Sequence, residues 1–243
     1  MARHLVLADI HSNLEALDAV LVDARALRGG FDDVWCAGDI VGYGPFPGEC
    51  IARLRDLAAL CVAGNHDLGV TGKLELSWFN NEAAEACRWT AGQISSGDLR
   101  FLAALPQSRS LGPFLVVHGS PRDPVREYVT SAQMAGALAS YCDSTHCLVG
   151  HTHCPAAFGM EPPALHPVGD SVVVRIQTGR FLLNPGAVGQ PRDGDPRAAY
   201  AIYDDSARVF EFHRVEYNVG IAASAIISRG LPKCLAMRLH CGY

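Results

Sequence analysis

Five short segments of this chain combine Asp, Asn and His in spacings that suit metal-assisted chemistry. They are Asp9-Ile10-His11, Gly38-Asp39, Gly64-Asn65-His66-Asp67, His118-Gly119 and Gly150-His151-Thr152-His153. Imidazoles, carboxylates and a carboxamide form a mixed nitrogen and oxygen set. Such a set suits manganese, iron, zinc or cobalt rather than calcium or a thiolate-bound ion. The donors outnumber what one ion needs. They fit two ions about 3.5–4 Å apart, bridged by one carboxylate and a water-derived hydroxide. Any one of these segments alone reads as a turn or a helix start. Gly-His-Thr-His says most by itself, because histidines at i and i+2 of an extended segment point the same way. Five such segments in series, each following an apolar strand, are not explained by turns.

The elements that must position them are legible from hydrophobic period. A strand is expected at 3–8, apolar enough to be buried on both faces. A helix follows at 13–28, with Ser12 and Glu15 as a capping box and Leu14, Leu17, Val20, Leu21, Ala24 and Leu27 as its apolar stripe. Gly29-Gly30 ends it. A second strand at 33–37, a second helix at 49–57 and a third strand at 59–63 continue the alternation, which argues for parallel pairing in an α/β layer. A helical stretch over 81–105 is interrupted near Ser95-Ser96-Gly97. Short strands follow at 114–117 and 147–149. After His153 the pattern turns to β, with strands at 172–177, 180–184, 197–203 and 208–216, and a final helix containing Leu231-Pro232 that is expected to cap the sheet. The two halves read as a β-sandwich with helices outside, in one domain. Strand ends of open α/β sheets converge on one crevice, so the five segments should meet there.

Composition excludes several other classes. The 243 residues are 49% hydrophobic and 19% charged, which rules out a disordered chain. A net charge of −5 without a Lys/Arg run argues against a nucleic-acid polymer as partner. No stretch reaches about 18 uninterrupted apolar residues, so no membrane span is expected. Nine cysteines, an odd number without a C-x-x-C pair, read as reduced thiols in a cytoplasm.

In this order, from Asp9 to His153, the segments resemble the calcineurin-like metallophosphoesterase superfamily. Asp39-Ile40-Val41-Gly42-Tyr43-Gly44-Pro45, Asn184-Pro185-Gly186-Ala187-Val188-Gly189 and the ending around Gly230-Leu231-Pro232 resemble its small single-domain bacterial and archaeal branch. The resemblance implies an α/β fold, a four-layer αββα sandwich with mixed β-sheets flanked by helices, as one domain over 1–243. It implies one metal on Asp9, His11, Asp39 and His153 and a second on Asp39, Asn65, His118 and His151. The ions implied are manganese, iron or zinc, with cobalt or nickel compatible. It also implies that His66 is not a ligand but the imidazole beside the leaving group. In-line attack on phosphorus by the bridging hydroxide would follow, with His66, as imidazolium, donating to the leaving oxygen. Asp67 is the neighbour expected to orient His66.

The substrate implied is a small phosphoester or a nucleotide. The same branch contains phosphodiesterases and hydrolases of dinucleoside polyphosphates such as diadenosine tetraphosphate, the second reading of substrate. Protein serine/threonine phosphatases of the superfamily carry an arginine just after Gly-Asp, whereas Ile40-Val41-Gly42 stands here. Asn13, Tyr43 and Arg122 are the candidates to hold phosphate in its place. Trp78, Phe79 and Trp89 are candidates to stack a nucleobase, and the loop 155–170 to overhang the crevice. Two readings of other classes are a non-catalytic scaffold of the same fold, as in one retromer subunit, and a structural zinc site on Cys142, Cys147, His151 and Cys154. The intact donor set favours an enzyme over both.

Overall fold

The computed structural model describes residues 2–243. Its first third is the alternating unit that the apolar period requires: β1 (Arg3–Leu7), α1 (Leu14–Ala26), β2 (Asp33–Cys36), α2 (Pro47–Asp56) and β3 (Leu60–Cys61). The three strands pair in parallel. Four helical pieces come next: α3 (Asn65–Val70), a 3-10 turn at Leu76–Trp78, α4 (Asn81–Gln93) and α5 (Ser96–Ala104). Ser95 caps α5, with its Oγ accepting from the Asp98 amide at 3.1 Å, which explains the break in the long helical stretch.

The second half supplies β4 (Ser108–Leu111), β5 (Phe114–Val117), α6 (Ala132–Ala137), β6 (His146–Leu148), β7 (Ala156–Met160), β8 (Pro163–His166), β9 (Val172–Arg175), β10 (Phe181–Asn184), β11 (Ala198–Asp204) and β12 (Val209–Val215). Helices α7 (Val219–Ser228) and α8 (Lys233–Cys241) close the chain.

Two six-stranded mixed sheets result, ordered β3-β2-β1-β11-β12-β9 and β4-β5-β6-β10-β7-β8. Each contains three adjacent parallel strands: β1, β2 and β3 in one, β5, β6 and β10 in the other. Period-two alternation builds the four layers. Leu5, Leu7, Val34 and Cys36 face α1 and α2, while Val6, Ala8 and Trp35 face the second sheet and meet Phe114, Val116, Leu148 and Phe181. Val117, Cys147, Val149 and Leu182 point the other way, under α6. The αββα sandwich is therefore the fold. No helix among the described residues is long and apolar enough to cross a membrane.

Several local expectations are corrected. Asn13, not Ser12, caps α1: its Oδ1 accepts from the Ala16 amide at 3.2 Å, and Ser12 is left with positive φ and an unpartnered hydroxyl. The last helix is two helices, because Gly230 turns left-handed and Pro232 starts α8. This pair packs on α4 and Tyr43 rather than on a sheet. The segment 155–170 is mostly the β7–β8 hairpin on the edge of the second sheet, and no residue of it lines the crevice.

Candidate metal centre

The site sits where the two parallel triplets end. Asp9 follows β1, Asp39 follows β2 and Asn65 opens α3 just beyond β3. His118 follows β5, and His151 and His153 follow β6. All six carboxylate and imidazole donors are buried, Asp9 and His118 completely. They fall into two groups, Asp9 with His11, Asp39 and His153, and Asp39 with His118 and His151. Asp39 belongs to both: its Oδ2 lies 3.5 Å from His11 Nε2 and 3.3 Å from His118 Nε2. Asn65 Oδ1 joins the second group, 3.0 Å from His118 Nε2.

The backbone is bent hard to achieve this. Five of the seven donors, Asp9, His11, Asp39, His151 and His153, have positive φ. Non-glycine residues in that region are strained and collect at functional sites. The extended-segment argument for His151 and His153 is thereby corrected: His151 turns to His118 and His153 to His11. Asp9 takes the His151 amide at 3.1 Å, and Asn184 Nδ2 donates to the Gly150 carbonyl at 2.7 Å, which holds the turn. Gly64 must be glycine, since a Cβ there would collide with the Asp39 carboxylate.

The ring contacts test whether cations fit. Each of the four donor histidines has its outer nitrogen on a backbone carbonyl: His11 Nδ1 on Val41 (3.1 Å), His118 Nδ1 on Ala37 (2.9 Å), His151 Nε2 on Arg126 (3.1 Å) and His153 Nδ1 on Gln190 (2.6 Å). A carbonyl accepts only from N–H, so each inner nitrogen of a neutral ring presents a lone pair. Yet the inner nitrogens of His11 and His153 face each other at 3.1 Å, and those of His118 and His151 at 3.0 Å. Burial pushes His11 and His153 well below the usual range and His151 down to about 3, so these rings are neutral. Burial would lower His118 too, but the Asp39 carboxylate pushes it up to about 9. Converging lone pairs and carboxylates require positive charge between them, and divalent metal ions fit.

A cavity of about 270 Å³ opens onto this centre, lined by Asp39, Asn65, His66, His151 and His153 together with Tyr43, Trp78, Phe79, Tyr128, Arg126 and Arg192. His66 is buried and packs edge-on against Phe79 at 5.1 Å; burial pushes its imidazole down to about 4, so the ring is neutral rather than the imidazolium expected. Asp67 does not orient it: its oxygens accept from the Gly64 and Val41 amides. Among the expected phosphate-holding residues, Tyr43 lines the cavity. Its hydroxyl, pushed up to about 12 by burial, accepts from Arg192 at 3.3 Å. Asn13 is committed to the helix cap and to the Gly189 carbonyl at 2.9 Å. Arg122 lies outside the cavity, paired with Glu127.

The arginines lining the cavity are Arg126 and Arg192. Arg126 sits four residues beyond Arg122 on the same loop, with its guanidinium 4.6 Å over the exposed Trp78 ring. Arg192 follows β10, the sixth strand to end here, and is held by Tyr43 and by Gln190 Oε1 at 3.1 Å. No ion pair holds Arg192 among the described residues. The signal for it was Gln190-Pro191-Arg192, directly after the strand and turn already singled out. Trp89 is not at the cavity; its Nε1 donates to the Arg229 carbonyl. The cysteine-based zinc site does not form, since Cys142 bonds to backbone carbonyls and Cys154 to the Arg192 carbonyl, away from His151. All nine cysteines are unpaired.

A buried Asp/His centre at the carboxyl ends of parallel strands, beneath a cavity lined by Arg192, which no carboxylate pairs among the described residues, and by Arg126, which is paired with Asp123 at 3.1 Å, defines a metal-dependent hydrolase acting on an anionic substrate. Residues 2–207 match the calcineurin-like phosphoesterase superfamily domain. A metallophosphoesterase from Sphaerobacter thermophilus of known structure is 43% identical, with 99% of this chain and 100% of that one covered and a TM-score of 0.89. An uncharacterized protein of Methanocaldococcus jannaschii is 39% identical, with 98% of this chain and 97% of that one covered. A hypothetical protein of Pyrococcus horikoshii shares the fold at 21% identity, with a TM-score of 0.81 and 100% and 99% covered. The chain belongs to the calcineurin-like phosphoesterase superfamily, as a metal-dependent phosphoric ester hydrolase.

Proposed function

We propose that the chain hydrolyses a small phosphoester with two metal ions, one held by Asp9, His11, Asp39 and His153, the other by Asp39, Asn65, His118 and His151. The observation that carries this reading is Asp39 Oδ2, 3.5 Å from one imidazole set and 3.3 Å from the other. When bound, such ions supply charge to offset the phosphoryl oxygens and a water acidic enough to ionise near neutral pH.

The chain's own groups do the rest. Arg192 presents guanidinium N–H groups to a phosphoryl oxygen, in the place left empty by Ile40-Val41-Gly42. Tyr43, accepting from Arg192, keeps its own O–H to donate toward the substrate. Arg126 offers a second cation at the rim. His66 stands on the side of the cavity walled by Phe79, so the leaving group lies there and His66 Nε2–H donates to its oxygen. Trp78 extends that wall outward.

The test is a substrate panel after manganese reconstitution: a chromogenic monoester, a chromogenic diester, a cyclic nucleotide and a dinucleoside polyphosphate. Turnover of the chromogenic esters, abolished by chelation and restored by manganese, is expected. Turnover confined to the dinucleoside polyphosphate would move the reaction from ester to anhydride, and none on any member would overturn the reading.

A further inference from the structure

His66 needs something to fix its ring. The neighbour in sequence, Asp67, is spent on two backbone amides. Its ring contacts, Tyr43 at 4.4 Å, His11 at 4.8 Å and Phe79 at 5.1 Å, restrict tilt but do not distinguish one nitrogen from the other. A single hydrogen bond does. Cys87 Sγ on α4 lies 3.5 Å from His66 Nδ1, and it is the one hydrogen-bond partner of this ring among the described residues. Both side chains are buried, His66 at 3% exposure and Cys87 at 1%. Gly42, at φ 94°, packs close beside the same nitrogen: a Cβ there would overlap His66 Nδ1.

We propose that Cys87 is the positioning residue for His66, its S–H donating to Nδ1 so that the tautomer with Nε2–H faces the cavity. A thiol is protonated at neutral pH, and burial pushes this one further up, so it is a donor and not an anion. A neutral imidazole whose Nδ1 accepts carries its proton on Nε2. Nδ1 points into α4 and the ring lines the cavity, so Nε2 is on the open side, where the leaving oxygen comes. No bond is made or broken at sulfur. The inference rests on the role given to His66 above.

The experiment compares Cys87→Ala and Cys87→Ser with the parent by two readouts. One is kcat and KM on diesters with good and poor leaving groups. The other is the ¹⁵N spectrum of the histidine side chains in the zinc-loaded protein, assigned for His66 with His66→Gln. Cys87→Ala is expected to turn a single Nε2–H tautomer into a mixture and to lower kcat about fivefold on the poor leaving group alone, the worth of one modest hydrogen bond, with KM unchanged. Cys87→Ser is expected to recover both. A single Nε2–H tautomer persisting in Cys87→Ala, with kcat unchanged, would overturn the proposal and leave Cys87 a packing residue. If the tautomer shifts while His66→Gln itself turns over poor leaving groups normally, the positioning contact stands and the role given to His66 fails.

Discussion

His11 Nε2 and His153 Nε2 face each other at 3.1 Å although neither carries a proton to share. The outer nitrogen of each donates to a carbonyl, Val41 for His11 and Gln190 for His153. Two lone pairs at that distance repel unless positive charge lies between them, and the rigidity of the surrounding strand ends fixes both rings in that position. The left-handed backbone at both residues is part of that rigidity. The arrangement makes sense as a preformed receptor for a cation, in which second partners fix each ring before the ion arrives.

His66 should act on the leaving group and not on metal uptake. His66→Gln is expected to lower kcat about 10²-fold on substrates with poor leaving groups, within the range for a proton or hydrogen-bond donor, and to change little with good ones. Metal content should equal that of the parent. A loss of metal in this variant would show that His66 belongs to the coordination shell after all.

Arg192 should hold the phosphoryl group. Arg192→Ala removes a charge-assisted hydrogen bond worth about 1.5–3 kcal/mol, so KM should rise roughly 10–100-fold. Arg192→Lys should recover only part of this, because an ammonium cannot fork onto two oxygens. A KM unchanged within twofold would return the clamp to Tyr43 or Arg126.

Asn13 should prove structural. It caps α1 and ties that helix to Gly189, so Asn13→Ala is expected to destabilise the protein by about 1–2 kcal/mol in urea unfolding. KM for a phosphoester should stay within twofold of the parent. A large rise in KM with stability intact would restore Asn13 as a substrate-binding residue.

Acid stability should depend on His146, well away from the metal centre. Burial, aided by Arg180 and Arg208, pulls this imidazole down to about 4 from an ordinary 6.5. Between those values the unfolded chain binds a proton that the folded chain does not, so stability present above about pH 6.5 drains away as pH falls toward 4. His146→Gln keeps an acceptor for the Phe181 amide and removes the titration. Its urea midpoint should fall less steeply from pH 7 to 4.5 than that of the parent. Parallel curves would rule out His146 as the titrating group.

That the site's Asp, Asn and His side chains cluster was legible because strand period and residue type coincide at each strand end. Asp9, Asp39, Asn65, His118 and His151 each follow a short apolar run, and chain order alone aligned them. What was not legible depends on chain segments far apart in sequence. Arg192 reaches the cavity only because β10 joins β5 and β6 in parallel, a pairing that no local pattern announces. Cys87 lies in the middle of a helix, where its type reads as core. Arg122 shares its loop with the cavity-lining Arg126 but stands on the side of the turn where it meets Glu127. Ser12 failed as a cap because the positive φ that His11 needs continues through it. The crevice is built by both sheets of the expected sandwich, each contributing three parallel strand ends.

The central claim is that Asp39 stands between two cations. Anomalous diffraction from crystals grown with manganese tests it most directly. Two peaks are expected, one bounded by Asp9, His11 and His153, the other by Asn65, His118 and His151, with the Asp39 carboxylate touching both. A single peak, or peaks to which Asp39 makes no contact, would contradict the account.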